Sequence, residues 1–90
     1  MNVNILKAIL DERKKQRGTD DYEPTYWLTL LVEEVGELAK VIANTKDGYD
    51  IENYKSMKVE TIQIAALSIA FLEYLEEQLK PIDYRGGVLA

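Results

Sequence analysis

Along the stretch WLTLLVEEVGELAKVI, residues 27–42, apolar positions recur every three or four residues, the period of a helix with one face turned inward. The same period runs through residues 3–17, where Val3, Ile5, Leu6, Ile9 and Leu10 gather near one face before the charged run DERKKQR. A third and longer helical stretch begins at Ile51 or Glu52 and is expected to stop at Lys80, ahead of Pro81. Turn signals separate the three. Gly18 with Thr19, Asp20 and Asp21 ends the first, and Pro24 suits the first turn of the second, which extends to about residue 45. The Asp-Gly of KDGYD, residues 46–50, then turns the chain into the third. No internal repeat is present, and no period-2 stretch is long enough to propose a sheet. The pattern predicts an all-α fold, a three-helix bundle forming one domain over residues 1–80. An irregular tail over 81–90 follows, with Ile82, Tyr84, Val88 and Leu89 able to dock on a partner.

The second stretch is the one that needs explaining. Taking about 100° per residue and Glu33 as zero, Glu37 lies near 40° and Glu34 near 100°. Leu31, Val35, Leu38, Ala39 and Ile42 fill roughly 140° to 240°, the expected core face. Leu30 and Val41 fall among the glutamates, so the acidic stripe is interleaved with aliphatic side chains. In the third stretch apolar residues go almost all the way round between Ile62 and Leu75, as in a helix buried on several sides. Glu60 shares a side with Ile64, Leu67 and Phe71, and Gln63 follows one turn later. A carboxylate leading into such a helix is costly unless something positive meets it. Glu34 with Glu37, and Glu60 with Gln63, are i,i+3 pairs, which are neighbours on a helix surface. Two antiparallel helices that each offer such a pair can build an oxygen-ligand metal site inside a bundle.

Composition narrows the chemistry. The chain has 90 residues with no cysteine and no histidine, so disulfides, thiolate or imidazole metal sites and haem ligation are excluded. A metal would have to be a hard cation held by oxygen, Mg²⁺, Mn²⁺ or Ca²⁺. A net charge of −5 argues against a DNA or RNA polymer as partner, though bound cations would still admit a phosphate-bearing small molecule. Gln63, Ser68 and Glu73 interrupt the longest apolar stretches, and no leader pattern opens the sequence, so no membrane span and a cytoplasmic location are expected. A chain this short buries only roughly 60–65% of its unfolded surface, so self-association is an expected source of further stability.

EEVGE at residues 33–37, followed by VETIQIAALSIAFLE at 59–73, resembles the MazG-like all-α nucleoside triphosphate pyrophosphohydrolases. Their signature is Glu-Glu-x-x-Glu on one helix and Glu-x-x-Asp on the next. ERKKQ at 12–16 is similar to the first helix of a small branch of that family, and the likeness covers about residues 5–78. Two departures stand out: Gln63 occupies the place of the usual Asp, and an Asp-x-Lys-Trp-Gly run is replaced by Arg17-Gly18. The resemblance implies a bundle completed by homodimer or homotetramer formation into a four-helix-type core. It implies Mg²⁺ (or Mn²⁺) held by Glu34, Glu37, Glu60 and Gln63, and hydrolysis of a nucleoside triphosphate to its monophosphate and pyrophosphate. Glu33 would position or deprotonate the attacking water or equally serve as a ligand, and Trp27 and Lys58 are the candidates for substrate contact.

Plainer readings stand beside these. Glu33, Glu34 and Glu37 could form a solvated helix face partnered by Lys40, and Glu60 could pair with Lys58. Trp27 could be core packing, and Gly36 a close helix–helix contact. Arg13, Lys14, Lys15 and Arg17 suit either phosphate contacts or a helix end favoured by its dipole. Two rival functions follow: a MazG-like relative that binds nucleotide and metal without turnover, and a helical interaction module with no activity.

Overall fold

The computed structural model describes residues 1–15, 23–45 and 48–84, with side chains up to residue 80. Three helices follow one another: α1 (Val3–Lys15), α2 (Pro24–Ala43) and α3 (Ile51–Tyr84). Their starts are written in short-range chemistry. Asn4 donates its N–H to Asn2 Oδ1 at 2.7 Å ahead of α1. Pro24 opens α2, where a missing N–H costs nothing, after an extended Glu23. Asp50 and Asn53 exchange main-chain N–H to side-chain oxygen bonds, both 2.9 Å, across the first turn of α3. Between α2 and α3, Gly48 takes φ +91°, a left-handed conformation that suits a residue without Cβ. The expected turn at Gly18 to Asp21, and Arg17, Lys46, Asp47 and the tail beyond Tyr84, lie outside the described residues.

α3 is the spine. Both α1 and α2 pack on it, and among the described residues they do not pack on each other. The molecule measures 59 × 30 × 21 Å with a radius of gyration of 16.6 Å, against roughly 12 Å for a compact domain of this length. So open a layout leaves a small core: Ile9, Trp27, Ala66, Leu67 and Ala70. Its centre is Trp27, which is 0% exposed. The indole stacks on Phe71 at 5.4 Å between ring centroids, meets Tyr74 at 5.9 Å, and packs with Leu67 and Ala70.

The α2–α3 contact runs along two matching seams. On α3 it follows Asn53, Met57, Glu60, Ile64, Leu67, Phe71 and Tyr74, all at least half-buried and spaced alternately four and three apart. On α2 it follows Trp27, Leu31, Glu34, Leu38 and Val41 with the same spacing. Trp27 beside Phe71 and Glu34 beside Gln63 set the register, and the two helices run antiparallel.

Three expectations are corrected here. Val35, Ala39 and Ile42, expected in the core face of α2, are exposed, and Leu30, Glu34 and Val41 turn inward instead. The apolar arc of α2 is about 200° wide by the helical period, and one neighbouring helix covers only part of it. Gly36, expected at a close helix–helix contact, makes none among the described residues: a Cβ there would meet nothing within 4 Å. It therefore leaves α2 with a cost of about 1 kcal/mol relative to alanine and no intramolecular gain. Finally α3 does not stop before Pro81 but continues through it to Tyr84. Proline supplies no N–H there, so the Glu77 carbonyl receives no bond from residue 81. The all-α prediction and the start of each helix agree with the structure.

Candidate metal centre

Half-way along the α2–α3 seam the aliphatic pairs give way to Glu34 and Glu60, both half-buried, one from each helix. Their carboxyl groups lie within hydrogen-bonding reach of one another. Gln63, one turn after Glu60, completes the group. With its amide nitrogen turned inward it donates to Glu34 Oε2 at 2.7 Å and to Glu60 Oε2 at 3.2 Å. The opposite orientation would gather three oxygens with nothing positive among them, so the hydrogen-bond network selects the first. The electrostatics follow from this placement. The Glu34 carboxyl is held above its ordinary value of 4.5, first by burial, next by the charge of Glu60 and the hydrogen bond shared with it, then by Glu37 and Glu33.

The other expected site residues are placed less closely. Glu37 is exposed, one turn from Glu34 and near enough for its charge to act on it. Glu33 is exposed on the polar side of α2. Lys58 is exposed, and lies about 140° around α3 from Gln63 by the helical period. There it lines a cleft of about 240 Å³ with Ile5, Ile9, Thr61, Ile62 and Ala65, away from the carboxylates. Trp27 is inside the core, where stacking on a base would require Phe71 or Tyr74 to leave. Among the described residues no three acidic side chains converge as a ready cation cage. What the fold does bring together is two carboxylates and one amide, a hard-oxygen set that suits Mg²⁺ or Mn²⁺ completed by water or phosphate oxygens.

Two clefts along α3 were not expected from the sequence, although Lys15 in one and Arg13 in the other were named from it as candidate phosphate contacts. A cleft of about 310 Å³ opens between α1 and α3, lined by Ala8, Asp11, Glu12, Lys15, Val59 and Ile62, the last two adjacent in sequence to Glu60 and Gln63. It brings a cation, Lys15, and two acids to the same stretch of α3. Helical spacing on α1 alone carries no sign of which part of α3 it crosses. A larger hollow, about 410 Å³, lies toward the other end of α3 between Arg13, Glu73, Tyr74 and Glu77. Arg13 is engaged there in an ion pair with Glu73 at 2.6 Å, and Lys15 approaches Glu12 at 3.6 Å. Among the described residues no helix is long and apolar enough to cross a membrane. Compared with known proteins, the chain matches no family model, no curated protein and no solved structure.

Proposed function

We propose that the chain is a metal-dependent nucleoside triphosphate pyrophosphohydrolase of the MazG-like kind, working as a homodimer or homotetramer in the cytoplasm. The observation that carries this reading is the meeting of Glu34 and Glu60 from two helices, with Gln63, between aliphatic and aromatic stretches of the seam. A chain selected for stability alone would place leucine at both positions, since a buried acidic pair is costly when nothing positive faces it. Glu34 and Glu60 are the anionic ligands, Gln63 turns its amide to present oxygen, and Glu37 reaches in from the rim. The bound Mg²⁺ would neutralise polyphosphate charge and polarise the phosphoryl oxygens. Glu33, exposed beside the pair, takes the proton of the water that adds across the anhydride between the α and β phosphates. The products are the nucleoside monophosphate and pyrophosphate. Lys15, in the adjoining cleft, is better placed than Lys58 to meet a phosphate.

The test is pyrophosphate release from a panel of canonical and modified nucleoside triphosphates with Mg²⁺ or Mn²⁺. Wild type is expected to turn over at least one of them, and Glu34→Gln and Glu60→Ala to lose that activity. No release from any nucleotide with either metal would remove the enzyme reading. A second reading, a MazG-like protein that binds without turnover, is favoured by the amide of Gln63, which already satisfies both carboxylates. That reading keeps a thermal shift with nucleotide and Mg²⁺ but no pyrophosphate.

A further inference from the structure

α2 carries two apolar seams, and the fold of a single chain uses one. The second consists of Leu28, Val32, Val35, Ala39 and Ile42, spaced four, three, four and three apart, the a/d repeat of a coiled-coil helix. Leu28 is 61% exposed, Val32 59%, Val35 51% and Ile42 41%. No charged residue interrupts this seam. Along one flank lie Thr29, Gly36 and Ala43, all small, and above Gly36 there is open space. A glycine in mid-helix weakens the helix, and nothing among the described residues uses the room it makes. A second helix laid on the seam would use it.

The order of residues identifies that helix. Read in either direction from Val35, the seam has nearly the same spacing, so an antiparallel copy sets Leu28 against the partner's Ile42 and Val32 against the partner's Ala39. Gly36 then falls beside the partner's Gly36. Beyond the small-residue flank stand Glu33 and Lys40. Antiparallel pairing brings Glu33 level with the partner's Lys40 and the converse, whereas a parallel pair would set like charges together. α3 extends the same face. Its residues at 72, 75 and 79 lie between about 40° and 100° round from Phe71 of the α2-facing seam, on the side where the second seam of α2 is open, and Leu72, Leu75 and Leu79 are exposed there. Eight apolar side chains about half exposed on each copy offer on the order of 1,000 Å² across a pair, at the lower edge of specific interfaces.

We propose that this face, centred on Val35 and Gly36 of α2 and flanked by Leu72 and Leu75 of α3, joins two copies of the chain about a two-fold axis with their α2 helices antiparallel. The inference names the face for the self-association proposed above, and it does not depend on catalysis. It is tested on the full chain by sedimentation equilibrium, against a monomer of 10.3 kDa. Wild type is expected to be a dimer or a dimer of dimers. Val35→Glu is expected to weaken the pairing at least 100-fold while circular dichroism stays helical. Because the chain has no cysteine, Val35→Cys supplies a second measurement that does not depend on how well the glutamate variant folds. It should form a disulfide-linked dimer on mild oxidation, and Glu37→Cys should not. A wild-type monomer at all accessible concentrations would overturn both the self-association and this face, leaving the seam to a different polypeptide. A Val35→Glu protein that still associates as wild type, or a Val35→Cys protein that fails to cross-link, would overturn this face alone.

Discussion

The two halves of the α2–α3 seam obey one geometry and opposite chemistry. At one end Trp27, Phe71, Tyr74, Leu67 and Ala70 form a dry aromatic cluster. A turn or two further on, the same alternation of four and three delivers Glu34 and Glu60 to each other with Gln63 between them. Spacing decides which residues meet, and side-chain type decides whether the meeting stabilises the fold or burdens it. The aromatic end holds the helices together. The acidic end is tolerated because the aromatic end already does so, and that division is what a binding site within a small core requires.

The sharpest way to break the comparison is Trp27→Ala. Removing the one large side chain fully buried among the described residues should cost about 3–5 kcal/mol, enough to unfold much of a domain of this size, as read from urea denaturation. A loss below about 1 kcal/mol would mean that the aromatic end is not the anchor. Gln63→Ala acts on the other end and should be milder. It deletes two hydrogen bonds at a half-buried site, a change of about 1 kcal/mol, and it should raise the Mg²⁺ concentration needed for any thermal shift. The smallest effect is expected from Glu34→Gln. The folded chain holds a proton on Glu34 more tightly than the unfolded chain does, because its carboxyl is raised above 4.5. The stability that Glu34 contributes is therefore greatest at and below that pH, falls as pH rises through the folded-state value, and stays lower above it. Glu34→Gln should raise the melting temperature at pH 7 and flatten the difference between pH 7 and pH 4.5, measured by calorimetry without metal. A steeper pH dependence in the variant would contradict this account.

Much of this was legible in the sequence, for identifiable reasons. Pro24 and the Asp-Gly turn signal of residues 46–50 announce the starts of α2 and α3 through local chemistry, which needs no knowledge of the fold. The sharing of one side by Glu60, Ile64, Leu67 and Phe71 is a matter of period alone, and it is the side that meets α2. What could not be read was the choice made by α2 between two apolar seams. Val35, Ala39 and Ile42 are apolar like Leu30 and Val41, which turned inward in their place along with Glu34, and periodicity does not say where the neighbouring helix lies. Pro81 misled for a related reason: a missing N–H is a cost, and a long helix can carry it.

The spine arrangement has a consequence for how the chain is made. Among the described residues every tertiary contact of α1 and α2 is with α3, and α3 is the last of the three helices in the order of synthesis. While α1 and α2 emerge from a ribosome they have no helix to pack on, and each is near or below the length at which a helix persists alone in water. Their apolar stripes stay in solvent until the middle of α3 appears. Folding of this chain is thus gated by its C-terminal third, and a nascent chain cut before Leu67 would lack the side chain against which Trp27 closes.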